Sequence, residues 1–296
     1  MHPKIIMHLG AHKTASTHLQ RSLKKNQNRL NAAGYTYFTP KQCRDALFPI
    51  TLRLRDGGDR AALQKHAEMM FHGAANGNAN LILSDENIIG HLNQLFNNDL
   101  IYPWSNFRTA RFFALLPDHR FELFISLRNM ASFLPSAYVE NLLHSEYLTF
   151  EQFLKGTEPW AFSWATMMRR FGNMSGGRQF TVWRYEDYGA IKSDIVAAMT
   201  TTNLAKGFKF LNKRPRPILS HAAVDYYANQ RISGRSGPAA DLLQDAGELF
   251  PLGEQYPAFQ PFDRQTIEKL DEKYLNDMKL IANMAHVRMI SPPIRA

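Results

Sequence analysis

The chain carries near its amino-terminal end the stretch KIIMHLGAHKTAST, at residues 4–17. The first six residues form a mostly apolar, β-branched run that predicts a buried strand, and small residues around one lysine, Lys13, follow it. Leu19, Leu23 and Leu30 then recur at spacings of four and seven, which predicts a helix that begins near residues 14–16. A strand, a small-residue loop and a helix in this order bring backbone N–H groups, the positive end of the helix dipole and an ammonium group around one point. The stretch therefore predicts a site for a phosphate or sulfate group.

Three more strand-like runs follow, at residues 81–84, 121–127 and 180–183, and helical patterns separate them. This alternation is typical of an α/β protein with a mainly parallel central sheet flanked by helices, a three-layer sandwich. We expect one domain over residues 1–296. The Gly- and Pro-rich residues 234–262 predict a long loop or lid, and the apolar stripe that follows Asp263 predicts a C-terminal helix over 263–286.

The composition excludes several classes of protein. With 45% hydrophobic residues, the chain can bury a large core, which argues against a disordered tail or a coiled-coil rod. The single cysteine, Cys43, cannot form an internal disulfide, and no segment resembles a signal peptide or a membrane span, so we expect a cytoplasmic protein. The 35 Lys and Arg residues exceed the 26 Asp and Glu residues and give a net charge of +9, which favours an anionic partner.

The loop also differs from better-known phosphate loops. The ATP-type pattern G-x-x-x-x-G-K-[ST] is absent, because Lys13 follows Gly10 too closely and Ala15 comes after the Lys-Thr pair. No metal site is expected, since Cys43 is alone and His8 and His12 lie across a strand and a loop rather than on one helix face. The sequence has neither a G-x-S-x-G nucleophile elbow nor a G-x-G-x-x-G dinucleotide motif.

A second candidate anion site follows the strand at residues 121–127. Arg128 stands at the end of that strand, and we expect Ser132 to cap the next helix, with Pro135 and Ser136 in its first turn. A guanidinium group and a hydroxyl would then face one point beyond the carboxyl edge of the sheet, where open α/β sheets bind ligands. The pair predicts a phosphate site.

These motifs, KTAST at 13–17, LRN at 127–129 with Ser136, and YED at 185–187, resemble in order those of the sulfotransferases that use 3′-phosphoadenosine 5′-phosphosulfate (PAPS). The resemblance covers about the first 230 residues and implies a P-loop NTPase-like fold. Ala15 stands where that family more often has glycine. The resemblance implies that the loop holds the 5′-phosphosulfate, Arg128 and Ser136 the 3′-phosphate, Tyr185 the adenine, and a late basic loop the 3′-phosphate again. The implied donor-binding residues are Lys13, Thr14, Ala15, Ser16, Thr17, Arg128, Ser136, Tyr185, and Arg214 or Arg216.

The resemblance implies a reaction as well. A sulfuryl group would pass to a hydroxyl, less readily an amine, of a carbohydrate, lipid or small molecule, with release of adenosine 3′,5′-bisphosphate and no need for a metal. Lys13 would neutralise the leaving oxygen. Glu86, at the end of the strand over residues 81–84, is the preferred general base, and His12 is the alternative.

Two other functions remain open from the residues. One is a P-loop kinase that uses Mg-ATP, and the other is a non-catalytic, basic nucleic-acid-binding protein. The basic residues are scattered and show no recognition motif with interleaved aromatics, so we expect no nucleic-acid partner. The sequence identifies neither the acceptor nor the oligomeric state.

Overall fold

A six-stranded sheet forms the centre of the protein, and all its strands run parallel. The computed structural model describes residues 2–144, 146–174, 176–212 and 219–293. The strand order is β2-β3-β1-β6-β7-β8, and a separate antiparallel pair, β4 and β5, lies outside this sheet. The strand bounds are β1 (Lys4–His8), β2 (Tyr35–Phe38), β3 (Asn80–Ser84), β4 (Phe96–Asn97), β5 (Leu100–Ile101), β6 (Phe121–Leu127), β7 (Phe180–Arg184) and β8 (Val287–Met289).

The helices lie between the strands along the chain. Short 3-10 segments cover Glu86–Ile88, Leu92–Gln94 and Tyr185–Asp187, and a π-helical turn covers Cys43–Leu47. The α-helix bounds are α1 (Ser16–Lys25), α2 (Gln27–Ala32), α3 (Pro40–Gln42), α4 (Phe48–Arg55), α5 (Arg60–Ala75), α6 (Ser105–Leu115), α7 (Met130–His144), α8 (Phe150–Phe153), α9 (Trp164–Met174), α10 (Tyr188–Met199), α11 (Thr202–Lys206), α12 (His221–Ile232), α13 (Ala239–Leu249) and α14 (Arg264–Ala282).

The side chains of the central strands divide the core into two layers. In β1, Ile5 and Met7 belong to one buried cluster and Ile6 to the other, since alternate residues of a strand point to opposite faces. The Ile6 layer packs against α1, α10 and α11, and the other layer packs against α5, α6, α7, α9 and α14. The predicted three-layer α/β sandwich is confirmed.

Several boundaries differ from the prediction. Residues 234–262 contain the helix α13, whose Leu242, Leu243 and Ala246 are buried, so this region is not a continuous loop. Helix α14 begins after Asp263, which caps it by accepting the N–H of Thr266 at 2.8 Å, but it ends at Ala282 and leaves room for β8.

The described part of the chain contains no helix that is both long and apolar enough to cross a membrane.

Candidate functional site

The loop between β1 and α1 adopts an unusual backbone conformation. Gly10, Lys13 and Ala15 have φ values of 47°, 61° and 64°, all in the left-handed region. Ala15 precedes α1 directly, at a position where glycine would adopt the conformation without strain. A Cβ atom on Gly10 would stand 2.5 Å from Ser16 Oγ, so a larger residue would force the Ser16 hydroxyl to move.

Two hydroxyls of the loop bond to the loop's own backbone. Thr14 Oγ1 and Ser16 Oγ donate to the carbonyl oxygen of Ala11, at 2.6 and 3.3 Å. In the described part of the chain, no acceptor is found for the backbone N–H groups of Thr14, Ala15, Ser16 and Thr17. Successive N–H groups of this kind at the start of a helix form a cradle for an anion.

Arg128 joins the second motif to the first. It follows β6, and its Nη1 donates to the carbonyl oxygen of Lys13 at 2.8 Å, while its Nε donates to Ser132 Oγ at 2.9 Å. Its guanidinium carbon lies 4.5 Å from the centre of the Tyr185 ring, within the range of a cation–π contact. Trp164 fixes the backbone at this point by donating Nε1–H to the carbonyl oxygen of Arg128 at 2.7 Å. The three motifs therefore meet at one place.

The start of α7 differs from the prediction. The cap is Asn129, whose Oδ1 accepts the N–H of Ala131 at 2.9 Å, and not Ser132, which lies inside the helix. Pro135 also lies inside the helix, beyond the first turn. A proline there leaves the carbonyl oxygen four residues earlier, that of Ala131, without its helical donor. Gln260 supplies one, with Nε2 at 3.2 Å, which explains how the helix tolerates the proline.

Ser136 consequently lies in the middle of α7 and not in its first turn. Residues four apart share a helix face, and Ser132 and Glu140 flank Ser136 at this spacing. Ser132 contacts Arg128 and Glu140 contacts Lys13, so Ser136 is on the face of α7 that is turned toward the loop.

Glu140 is a residue of the site that the sequence reasoning missed. Its Oε2 lies 3.1 Å from Lys13 Nζ, its side chain is only 9% exposed, and its Oε1 lies 3.3 Å from His144 Nε2. The available signal was its helical spacing from Ser132 and Ser136, which places an acidic side chain on the face with two candidate ligands. The ion pair holds the Lys13 ammonium group at the loop.

Glu86 follows β3 and reaches α1. Its Oε2 accepts the Nε2–H of Gln20 at 2.8 Å, and its Oε1 lies 3.7 Å from Arg44 Nη2. Burial by itself would raise the pKa of Glu86, but the neighbouring His12, the Gln20 amide and Arg44 outweigh burial and lower the pKa, so the carboxyl group is ionised at neutral pH. The adjacent Asp85 is fully buried, and its carboxylate accepts hydrogen bonds from Nε and Nη2 of Arg44, at 2.8 and 3.1 Å.

His12 lies in the loop with both ring nitrogens engaged. Nδ1 lies 2.7 Å from the Tyr102 hydroxyl, which also accepts the His12 backbone N–H, and Nε2 lies 3.2 Å from the side-chain amide of Asn87. Burial lowers the pKa of His12 to about 4, so the imidazole is neutral at neutral pH. No sequence motif pointed to Tyr102, which is 90 residues away along the chain.

Arg214 and Arg216 lie outside the described residues. The segment that precedes them, residues 209–211, is hydrogen-bonded to α1 and to Asn26, the residue after α1. His18 Nε2 donates to the carbonyl oxygen of Leu211 at 2.9 Å, Ser22 Oγ accepts the Leu211 N–H at 3.3 Å, and Asn26 Oδ1 accepts the Lys209 N–H at 3.0 Å.

A pocket of about 620 Å³ lies at the other edge of the sheet, where β1, β6 and β7 begin. Its lining includes Lys4, Arg120 and Arg288. Ligands of open α/β sheets bind beyond the carboxyl ends of the strands, so we locate the candidate site at the loop and not in this pocket.

Fold and site together define an α/β protein with a candidate anion-binding loop after its central strand. No protein-family profile matches the chain, and no curated protein matches it. Among solved structures, the chain is similar to the crystal structure of a sulfotransferase from Alicyclobacillus acidocaldarius, with a TM-score of 0.40 and 17% identity over 83% of this chain and 95% of that chain.

Proposed function

We propose that the protein is a PAPS-dependent sulfotransferase that transfers a sulfuryl group to a hydroxyl, less readily an amine, of a carbohydrate, lipid or small-molecule acceptor. The observation that carries the proposal is the hydrogen bond between the Arg128 guanidinium group and the Lys13 carbonyl oxygen, at 2.8 Å. This bond brings two candidate anion sites, encoded more than a hundred residues apart, within the span of one nucleotide that is charged at both ends.

The chain's own groups fit such a nucleotide. The N–H groups of residues 14–17 and the Lys13 ammonium group suit the 5′-phosphosulfate. Arg128 and Ser136 suit the 3′-phosphate, because a guanidinium group and a hydroxyl donate to phosphate oxygens. The Tyr185 ring, already beside Arg128, suits the adenine.

Catalysis then consists mainly of positioning and charge stabilisation. The bound donor supplies the sulfuryl group and leaves as adenosine 3′,5′-bisphosphate. By analogy with phosphoryl transfer, negative charge grows on the leaving oxygen, and the Lys13 ammonium group and the loop N–H groups stabilise it. Glu140 keeps Lys13 Nζ at the loop through their 3.1 Å contact.

Glu86 is the proposed general base. Its lowered pKa keeps it a carboxylate, which accepts the proton of the acceptor hydroxyl as the new bond to sulfur forms. His12 is the weaker candidate, because both of its ring nitrogens already have partners, at 2.7 and 3.2 Å.

Calorimetric titration tests the proposal. Adenosine 3′,5′-bisphosphate should bind without magnesium, adenosine 5′-phosphate should bind at least about tenfold more weakly for lack of one charge-assisted phosphate contact, and Lys13→Ala should weaken both. Lys25→Ala is the matched control, because Lys25 is an exposed lysine at the end of α1. Magnesium-dependent binding of ATP in preference to the bisphosphate would support the kinase instead, and tight, salt-sensitive binding of duplex DNA would support the nucleic-acid-binding protein.

A further inference from the structure

Three histidines and one glutamate lie close together at the edge of the sheet opposite the loop between β1 and α1. His2 precedes β1, His119 precedes β6, and Glu68 and His72 lie one turn apart on α5. The loop follows the carboxyl end of β1, so the length of that strand separates this cluster from the candidate active site.

The distances within the cluster suit a small cation. His2 Nδ1 lies 3.5 Å and His72 Nε2 lies 3.8 Å from Glu68 Oε2, and one ligand atom from each of the three residues lies within 4.8 Å of the others. Zinc bound by nitrogen and oxygen at about 2.0–2.1 Å in a tetrahedron has ligand atoms about 3.3 Å apart. Small side-chain rotations therefore bring these atoms to that spacing.

His119 holds the carboxylate of the cluster in place. Its side chain is fully buried, its Nε2 lies 3.0 Å from Glu68 Oε2, and its Nδ1 lies 2.8 Å from the carbonyl oxygen of Pro3. Because the Pro3 carbonyl oxygen can only accept, Nδ1–H donates to it, and Nε2 donates to Glu68 when the ring is doubly protonated. Carboxylate ligands of metals are commonly oriented by hydrogen bonds from residues that do not touch the metal. The buried His119 ring thus keeps the Glu68 carboxylate beside the two exposed histidines, His2 and His72.

We propose that His2, Glu68 and His72 form a binding site for a divalent transition-metal ion of the zinc type. Two imidazoles and a carboxylate favour zinc over magnesium or calcium, which prefer oxygen ligands alone. Three protein ligands leave a fourth position for water. Because His2 precedes β1 and the other ligands are on α5, the ion would fasten the segment before β1 to the helix. The site is independent of the proposed sulfotransferase function.

The experiment is a calorimetric titration of the chelator-treated protein with zinc chloride, followed by thermal unfolding. We expect one equivalent to bind and the melting temperature to rise by roughly 4 °C at a free zinc concentration about 100 times Kd. His72→Gln and Glu68→Gln should each weaken binding at least about tenfold. His66→Gln is the matched control, since His66 is an exposed histidine of the same helix outside the cluster, and it should leave binding unchanged.

Two results would overturn this proposal. One is the absence of stoichiometric binding to the wild-type protein. The other is equal zinc affinity in His72→Gln, Glu68→Gln and the control, which would mean that zinc binds to scattered histidines. Because nucleotide binding is measured at the other edge of the sheet, neither result bears on the sulfotransferase proposal.

Discussion

Replacing Gly10 by alanine should destabilise the protein through two separable effects. Gly10 has a φ of 47°, and an added Cβ would also lie 2.5 Å from Ser16 Oγ. The left-handed conformation costs alanine about 1–2 kcal/mol, of which about 0.4–1 kcal/mol is recovered because alanine restricts the unfolded chain. Overlap in a packed site adds about 2 kcal/mol, so the free energy of unfolding should fall by about 3 kcal/mol in total.

Gly34→Ala is the control that separates the two effects. Gly34 also has a positive φ, 82°, but nothing lies within 4 Å of its added Cβ. Urea unfolding at an unchanged m-value should therefore show a loss of only about 1 kcal/mol for Gly34→Ala. Adding Ser16→Ala to Gly10→Ala should recover most of the overlap cost, as neighbouring residues are coupled. Equal losses for Gly10→Ala and Gly34→Ala would refute the tight loop on which the anion cradle depends.

Three further perturbations test the site. Burial lowers the pKa of His8, like that of His12, to about 4, so the unfolded chain binds protons at these residues that the folded chain does not. The free energy of unfolding should fall as the pH drops from about 6.5 to 4, by up to roughly 3 kcal/mol for His8 alone, and in urea titrations His8→Asn should remove that part of the slope. Glu86→Gln should lower the rate of sulfuryl transfer from labelled PAPS by about 10²-fold or more while leaving the calorimetric affinity for adenosine 3′,5′-bisphosphate unchanged, and full turnover would exclude Glu86 as the base. Arg128→Lys should weaken the bisphosphate about tenfold more than adenosine 5′-phosphate, whereas equal weakening of both would show that Arg128 only supports the loop.

The inner strands were predictable because each of them is a mostly apolar run that can be recognised from the sequence alone. The runs that became β1, β3, β6 and β7 are apolar on both faces, as strands covered by helices on both sides must be. The edge strands β2 and β8 were missed, since Tyr35–Phe38 and Val287–Met289 are too short to show an alternating pattern.

Side-chain partners across the fold were the harder part of the site. The loop residues are contiguous and could be read as one motif, but the contacts of Lys13 with Glu140 and of His12 with Tyr102 join residues far apart along the chain. The predicted start of α7 was wrong because Pro135 was expected only in the first turn of a helix. Gln260, which donates to the Ala131 carbonyl oxygen that the proline leaves without a partner, is 129 residues from Ala131 and could not be foreseen. The cluster of His2, Glu68 and His72 was not predicted either, because His2 is far along the chain from the other two residues.

A crystal structure of the protein with adenosine 3′,5′-bisphosphate would test the central claim most directly. The account predicts the 5′-phosphate within about 3 Å of the N–H groups of residues 14–17 and of Lys13 Nζ, and the 3′-phosphate at the same distance from Arg128 and Ser136. The nucleotide bound in another part of the molecule, or with its 3′-phosphate turned away from Arg128, would contradict it.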